Sequence, residues 1–178
     1  MPELVIGDAL RASARKFPNK TAFVFKDKRL TYRQFDERVN RLANGLLAKG
    51  YKPGDHIGIL AYNAIEYYEF LFAVAKAGMV AVPVNFRVVG PEIAYIMNHG
   101  DARALVYEAP FREAIRGVRS QFEKTGPRDF IVFGGPGEPG DTGYEDLLAA
   151  SSPEDPDIEV DEMRMWYIGY TSGTTGRA

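Results

Sequence analysis

The side chains best suited to chemistry lie in one run, Gly169-Tyr170-Thr171-Ser172-Gly173-Thr174-Thr175-Gly176, directly after the apolar stretch Met165 to Ile168. A strand that empties into glycines and hydroxyls can hold polyphosphate. Glycines let the backbone turn so that successive N–H groups point inward as an anion-binding nest. Ser and Thr hydroxyls add donors, and one can reach a phosphate-bound Mg2+. The run is not a Walker A loop, because no Gly stands five residues before a Gly-Lys-Ser/Thr and the run contains no Lys. On composition alone, a flexible Ser/Thr/Gly linker is the competing reading.

Other patterns spell chemistry that their neighbours deny. Gly135-Pro136-Gly137-Glu138-Pro139-Gly140 matches the dinucleotide fingerprint G-x-G-x-x-G after an expected strand. Pro136 and Pro139 remove two donors that a pyrophosphate needs, and Glu138 and Asp141 repel it. Asp155, Asp157 and Glu159 alternate like calcium ligands, but Pro156 intrudes and no Gly follows at the sixth position, so an acidic surface connection is expected. His56 and His99 lack metal-ligand spacing and read as structural or surface residues. Tyr62, Tyr67, Tyr68, Phe70 and Phe72 make an aromatic cluster on one helix, for packing on a sheet or for a partner. Arg87, in Asn85-Phe86-Arg87, is expected to form a structural ion pair rather than to serve an anionic ligand.

The elements that must position these residues alternate between short apolar runs and longer helical periods. That pattern predicts an α/β protein with a largely parallel sheet flanked by helices. Thr31 and Gln34 form a capping-box pair, after which Phe35, Val39, Leu42, Ala43, Leu46 and Leu47 recur at helical spacing until Gly50. A strand is expected over His56 to Ala61, then a helix capped by Asn63 and Glu66 and ended by Gly78. Met79 to Val84 is apolar at successive positions, as in a strand covered on both faces. Pro91 suits the first turn of a third helix, closed by Gly100. Strands are expected at Arg103 to Tyr107 and Phe130 to Phe133, with a helix over Phe111 to Phe122 between them. Residues 134–162 are Gly- and Pro-rich and then acidic, and read as solvated connections.

Composition narrows the class. With 46% hydrophobic and 26% charged residues the chain is ordinary globular material. A net charge of -2, with Lys and Arg spread along the chain, argues against a nucleic-acid partner. The absence of Cys excludes disulfides and thiolate zinc sites. No export signal or bilayer-length apolar segment is evident, so a cytoplasmic protein is expected.

Tyr170 to Gly176 resembles the signature of the AMP-forming acyl-CoA synthetases and related acyl-adenylate-forming, AMP-binding enzymes, whose loop reads Tyr-Thr-Ser-Gly-Thr-Thr-Gly-x-Pro-Lys-Gly. Leu30-Thr31-Tyr32, Gly54-Asp55 before Ile57-Gly58-Ile59, Ala75-Lys76-Ala77-Gly78 and Val82-Pro83-Val84-Asn85 resemble the same family. The resemblance implies a ligase that uses ATP and Mg2+ to form acyl-AMP and pyrophosphate from a small-molecule carboxylic acid, of fatty or aryl type, and then passes the acyl group to coenzyme A. It implies that Thr171, Ser172, Gly173, Thr174, Thr175 and Gly176 hold the β- and γ-phosphates of ATP, with Thr171 also a contact for Mg2+. Amino-acid adenylation and luciferase-like members share the loop.

Ala178 stands where the family has Pro, and the sequence stops before the loop's Lys. Residues 1–178 are therefore expected to be the early part of the large N-terminal domain, with the rest of that domain and the C-terminal domain lying beyond it. No catalytic residue is expected in the chain, which by itself is expected to be inactive and to self-associate through surface that the remainder covers. A non-catalytic binding or assembly module is the alternative. For ATP, charge-assisted hydrogen bonds of about 1.5–3 kcal/mol each are offset by about 1–2 kcal/mol for each residue of Thr171–Gly176 that must be ordered. ATP is thus expected to bind the isolated chain more weakly than about 1 mM, or about -4 kcal/mol. A calorimetric titration that saturates at micromolar ATP is the contrary result.

Overall fold

Parallel strands cannot be joined by a tight turn, so each must be followed by a helix or a long crossing segment. The computed structural model, which describes residues 5–170, follows this rule. Its elements are α1 (Ile6–Lys16), β1 (Thr21–Phe25), β2 (Lys28–Thr31), α2 (Tyr32–Ala48), β3 (His56–Leu60), α3 (Ile65–Lys76), β4 (Val80–Val84), α4 (Gly90–His99), β5 (Ala102–Glu108), α5 (Arg112–Arg116), β6 (Phe130–Phe133), β7 (Thr142–Gly143) and α6 (Tyr144–Ala149). Strands β3 to β7 form one five-stranded, wholly parallel sheet in the order β4-β3-β5-β6-β7. β1 and β2 form a separate antiparallel hairpin. The α/β class and the parallel sheet agree with the sequence reading. No helix among the described residues is long and apolar enough to cross a membrane.

The chain divides into two compact units, one of Met1–Asp55, Asn63–Met79 and Tyr144–Trp166, the other of His56–Tyr62, Val80–Gly143 and Tyr167–Ala178. In the first, α2 begins as its capping box requires: Thr31 Oγ1 accepts from the Gln34 N–H at 3.3 Å, and Gln34 Oε1 accepts from the Thr31 N–H at 2.9 Å. Phe35, Val39, Leu42, Ala43 and Leu46 are buried, and Gly50 adopts φ +94 just beyond the helix. Phe23 of the hairpin packs 4.4 Å from Phe35, centroid to centroid.

Two polar networks lie inside this unit. Lys76, whose side chain is wholly buried, donates to Asp36 Oδ1, Asn40 Oδ1 and Asp155 Oδ2 at 2.8, 2.7 and 2.8 Å. Asp155 also accepts from Arg11 at 2.8 and 2.9 Å. Burial alone would raise the Asp155 carboxyl, but the bonds from Arg11 and Lys76 outweigh it and hold the group well below the usual carboxylate range. In the second network, buried Glu69 accepts from Arg38 at 2.6 and 3.2 Å and from the Tyr144 hydroxyl at 2.8 Å, while Arg38 also reaches Glu145.

The second unit holds the sheet. Ile93, Ile96 and Met97 of α4 are buried in one cluster with Leu60, Val82, Val84 and Leu105. Pro91 lies in the first turn of α4 and Gly100 ends it, but Gly100 is not left-handed (φ -80); Asp101 takes that turn at φ +53. Gly100 is required for space instead, since a Cβ there would meet Val82 Cγ1 at 2.8 Å and the Ile96 carbonyl at 2.9 Å.

Four sequence expectations need correction. Asn63 does not cap α3: the helix starts at Ile65 with extended Ala64 at its N-cap and no side-chain bond, because Ala64 and Ile65 are buried and set the entry, while Glu66 turns to Lys28 at 3.4 Å. The helix expected over Phe111 to Phe122 is only α5, flanked by 3-10 turns at Ala109–Phe111 and Arg119–Gln121. Gly117 weakens it, and Asn98 supplies substitute bonds to the Gln121 carbonyl and the Glu123 N–H at 2.8 and 3.0 Å. Within 134–162, Thr142–Gly143 pairs with β6 and Tyr144–Ala149 is helical, with Tyr144 and Leu148 buried. Asp155 is an ion-pair partner of buried Lys76, not merely a solvated acid.

Lys76→Ala is expected to cost about 3–5 kcal/mol in urea-induced unfolding, the usual consequence of removing one partner of a buried charge cluster. Because the Asp155 carboxyl is held low, its stabilising contribution is present above its unfolded value, about pH 4, and is lost as pH falls from there through the lower folded value. Stability of the wild type should therefore fall more steeply in acid than that of Asp155→Asn, measured by the same unfolding curves.

Candidate phosphate loop and its approach

Thr171, Ser172, Gly173, Thr174, Thr175 and Gly176 lie outside the described residues, so the site is described through the segment that leads into it. Met165 to Ile168 was expected to be a strand. It makes a single parallel bridge, Tyr167 to Ala81 of β4, with the Ile168 N–H donating to the Ala81 carbonyl at 2.9 Å. Met163 and Met165 are 84% and 51% exposed, so apolar burial begins only after them. Ile168 and Tyr170 then pack against the buried cluster of the sheet unit.

Tyr170 is also fixed by its hydroxyl, which lies 2.9 Å from His99 Nδ1 and 3.5 Å from the Ile96 carbonyl. Burial, then the neighbouring Tyr95 and Asp101, push its ionisation above the ordinary tyrosine value, so the hydroxyl remains a neutral donor. His99 stacks on Tyr95 at 5.4 Å. Its partner was not legible from sequence: Tyr95 and His99 stand four apart on α4, but nothing local says that residue 170 returns to them. His56 is structural, its Nδ1 lying 2.7 Å from the Gly100 carbonyl.

The strand order reverses at β3, whose successors β4 and β5 lie on opposite sides of it. In open α/β sheets ligands sit at such a switch point, beyond the carboxyl ends of the strands. Here the Tyr62 N–H, just past β3, donates to Glu108 at the end of β5 at 2.9 Å. The Tyr62 ring lies 5.2 Å from Phe86 and 4.8 Å from Phe111, and Tyr62 and Phe86 are 45% and 40% exposed. Such rings can receive an apolar or flat group by stacking. This cluster was missed from sequence, which put Tyr62 on α3 with Tyr67, Tyr68, Phe70 and Phe72. The available signal was that Tyr62, Phe86 and Phe111 each follow the end of an apolar run. Arg87 lies over the Phe86 ring at 5.4 Å and forms no ion pair among the described residues, contrary to expectation.

The G-x-G-x-x-G run is closed to phosphate. The buried Asp141 carboxylate fills its turn, accepting from the Glu138 N–H at 3.0 Å and from Tyr107 and Arg119. Among the described residues no group of three or more His, Cys, Asp or Glu is placed to hold a metal.

Comparison with known proteins agrees with this geometry. The model of the AMP-binding enzyme family matches residues 10–178. The chain is 35% identical to a 3-oxocholest-4-en-26-oate–CoA ligase of Rhodococcus rhodochrous, over 97% of this chain and 32% of that protein. It is 33% identical to the long-chain-fatty-acid–CoA ligase FadD13 of Mycobacterium tuberculosis, over 96% of this chain and 33% of that protein. It spans about a third of the length of these relatives. Among solved structures, the anthranilate CoA ligase AuaEII in complex with anthranoyl-AMP superposes with a TM-score of 0.91 at 25% identity, over 99% of this chain and 34% of that one. The inhibitor-bound N-terminal domain of FACL13 from Mycobacterium tuberculosis gives 0.86 at 32% identity, over 97% and 42%. With the family model matched over nearly its whole length, the chain belongs to the AMP-binding enzyme family.

Proposed function

We propose that this chain is the early α/β portion of an AMP-forming carboxylate–CoA ligase acting on a fatty or aryl acid in the cytoplasm, the compartment that supplies ATP and coenzyme A. The observation that carries the reading is the loop sequence Tyr170 to Gly176, placed directly after a segment that adds to the edge of a parallel sheet. The two ligase relatives are named for a 3-oxocholest-4-en-26-oate and a long-chain fatty acid, and the solved AuaEII complex holds an aryl adenylate, anthranoyl-AMP.

In this reading the backbone N–H groups and hydroxyls of Thr171, Ser172, Gly173, Thr174, Thr175 and Gly176 hold the β- and γ-phosphates while the carboxylate attacks the α-phosphorus. Fixed donors stabilise charge on the departing pyrophosphate without having to reorganise, which is the main protein contribution to such transfers. Mg2+, when bound, would neutralise phosphate charge, with Thr171 as one hydroxyl contact. Residues 1–178 supply this cradle and no catalytic side chain. The isolated chain is therefore inactive.

The test is carboxylate-dependent ATP–pyrophosphate exchange on the polypeptide expressed from the intact gene, offered short, long-chain, aromatic and amino acids. Exchange with a long-chain or aromatic acid is expected. Exchange confined to amino acids would place the protein among adenylation enzymes, and none with any acid would favour a non-catalytic module. Exposed Met163, Met165 and Val89 (84%, 51% and 64%) also support self-association of the isolated chain. Light scattering at tens of micromolar should report a mass above 19.8 kDa; a strict monomer counts against this part of the proposal.

A further inference from the structure

We propose that His99 is a positioning residue for the phosphate loop, acting through the Tyr170 hydroxyl; the inference rests on reading Thr171 to Gly176 as that loop. Tyr170 is bonded directly to Thr171, so the place where Tyr170 is held is the place where the loop begins. The nearest backbone tie is one step further back, Ile168 N–H to the Ala81 carbonyl. Between the two stands Gly169, the residue type least able to transmit a backbone direction. The side chain of Tyr170 therefore has to carry the position of the sheet edge across that glycine.

His99 is built for this. Its Nδ1 lies 2.9 Å from the Tyr170 oxygen, its ring meets the Tyr170 ring edge-on at 5.7 Å, and Tyr95 stacks on it at 5.4 Å, which restrains the imidazole plane. The Ile96 carbonyl at 3.5 Å supplies a second, longer contact to the hydroxyl. Gly100 leaves the space: a Cβ there would come within 3.2 Å of the Tyr170 oxygen. These contacts come from the C-terminal turn of α4, whose Ile96 and Met97 are anchored in the core, so the backbone that carries the clamp is tied to the sheet. A loop that binds triphosphate through N–H groups gains affinity when its entry is fixed beforehand, because less ordering is left for the binding step. The effect belongs to ATP and not to the acid or to coenzyme A.

Two measurements test it. In the polypeptide expressed from the intact gene, His99→Ala and Tyr170→Phe should each raise KM for ATP about two- to tenfold, the span of one neutral hydrogen bond, with KM for the acid unchanged. Their double variant should be no worse than the worse single variant, and His99→Asn, whose amide nitrogen can stand near the place of Nδ1, should recover most of the loss. An unchanged ATP KM in His99→Ala, or additive effects in the double variant, overturns the proposal. In the 178-residue chain itself, amide exchange at Ile168 should accelerate about two- to tenfold in the same variants, while amides of α2 keep wild-type rates. Unchanged exchange at Ile168 overturns the anchor whatever the kinetics show. A wild-type polypeptide without pyrophosphate exchange sinks the ligase reading, and the Ile168 measurement then decides the anchor by itself.

Discussion

A lysine ammonium with no access to water must find an acceptor for each of its three protons, and Lys76 does so with two carboxylates and one amide. Its acceptors belong to α2 and to the segment around Asp155, so the last residue of α3 is fixed against two separate stretches of chain. Sliding α3 along α2 by even one turn would strand a buried charge, at several kcal/mol. The turn beyond Lys76 inherits this placement. Gly78 adopts φ +66, and the Met79 N–H returns to the Val74 carbonyl at 2.8 Å, so the helix end is closed before β4 begins at Val80. The end of α3 and the turn beyond it are thus fixed by a charge cluster and not by apolar packing alone.

The network of Glu69, Arg38, Tyr144 and Glu145 works by the same rule. Glu69 is fully buried, and a bidentate guanidinium and a phenol offset only part of its desolvation, which still lifts its ionisation above the ordinary carboxylate value. Both networks draw partners from 144–155: Tyr144 and Glu145 for one, Asp155 for the other. Arg41 and Asn44 of α2 extend the pattern by donating to backbone carbonyls of Ser151, Ser152 and Glu154 at 2.6 to 2.9 Å. The stretch after α6, Ser151 to Asp155, has few apolar side chains and is in this way ordered by hydrogen bonds from a helix rather than by a core of its own.

That explains how far the sequence could be read. The apolar elements were legible because a single local period decides each: α2 from Thr31 to Gly50, the unbroken apolar run of β4, and Phe130–Phe133. Asp155 was read as surface because acidic runs usually are, and its partners Lys76 and Arg11 are 79 and 144 residues away in sequence. The short helix at Tyr144 was hidden by the glycines before it, although Tyr144 and Leu148 stand one helical turn apart and are both buried. The break after α5 depends on Asn98, a side chain from another helix. Of the candidate site, the loop residues Thr171 to Gly176 lie outside the described residues, and the reading of them rests on their glycines and hydroxyls alone. The aromatic group of Tyr62, Phe86 and Phe111 was not legible, because only the strand order brings those three run-ends together.

The run Tyr170 to Gly176 contains no cationic side chain, so the phosphate binding proposed for it would rest on peptide N–H groups and hydroxyls. A lysine or arginine head can swing on a long stem until it meets an anion, but a peptide N–H points wherever the backbone points. A cradle made of peptide groups therefore tolerates little error in the direction from which the chain enters it. Ile168 and Tyr170 are both seated on the core, with glycine between them and glycines after them. The apolar and aromatic residues that lead into the proposed loop are thus held on the core, and they set the direction from which the chain enters it.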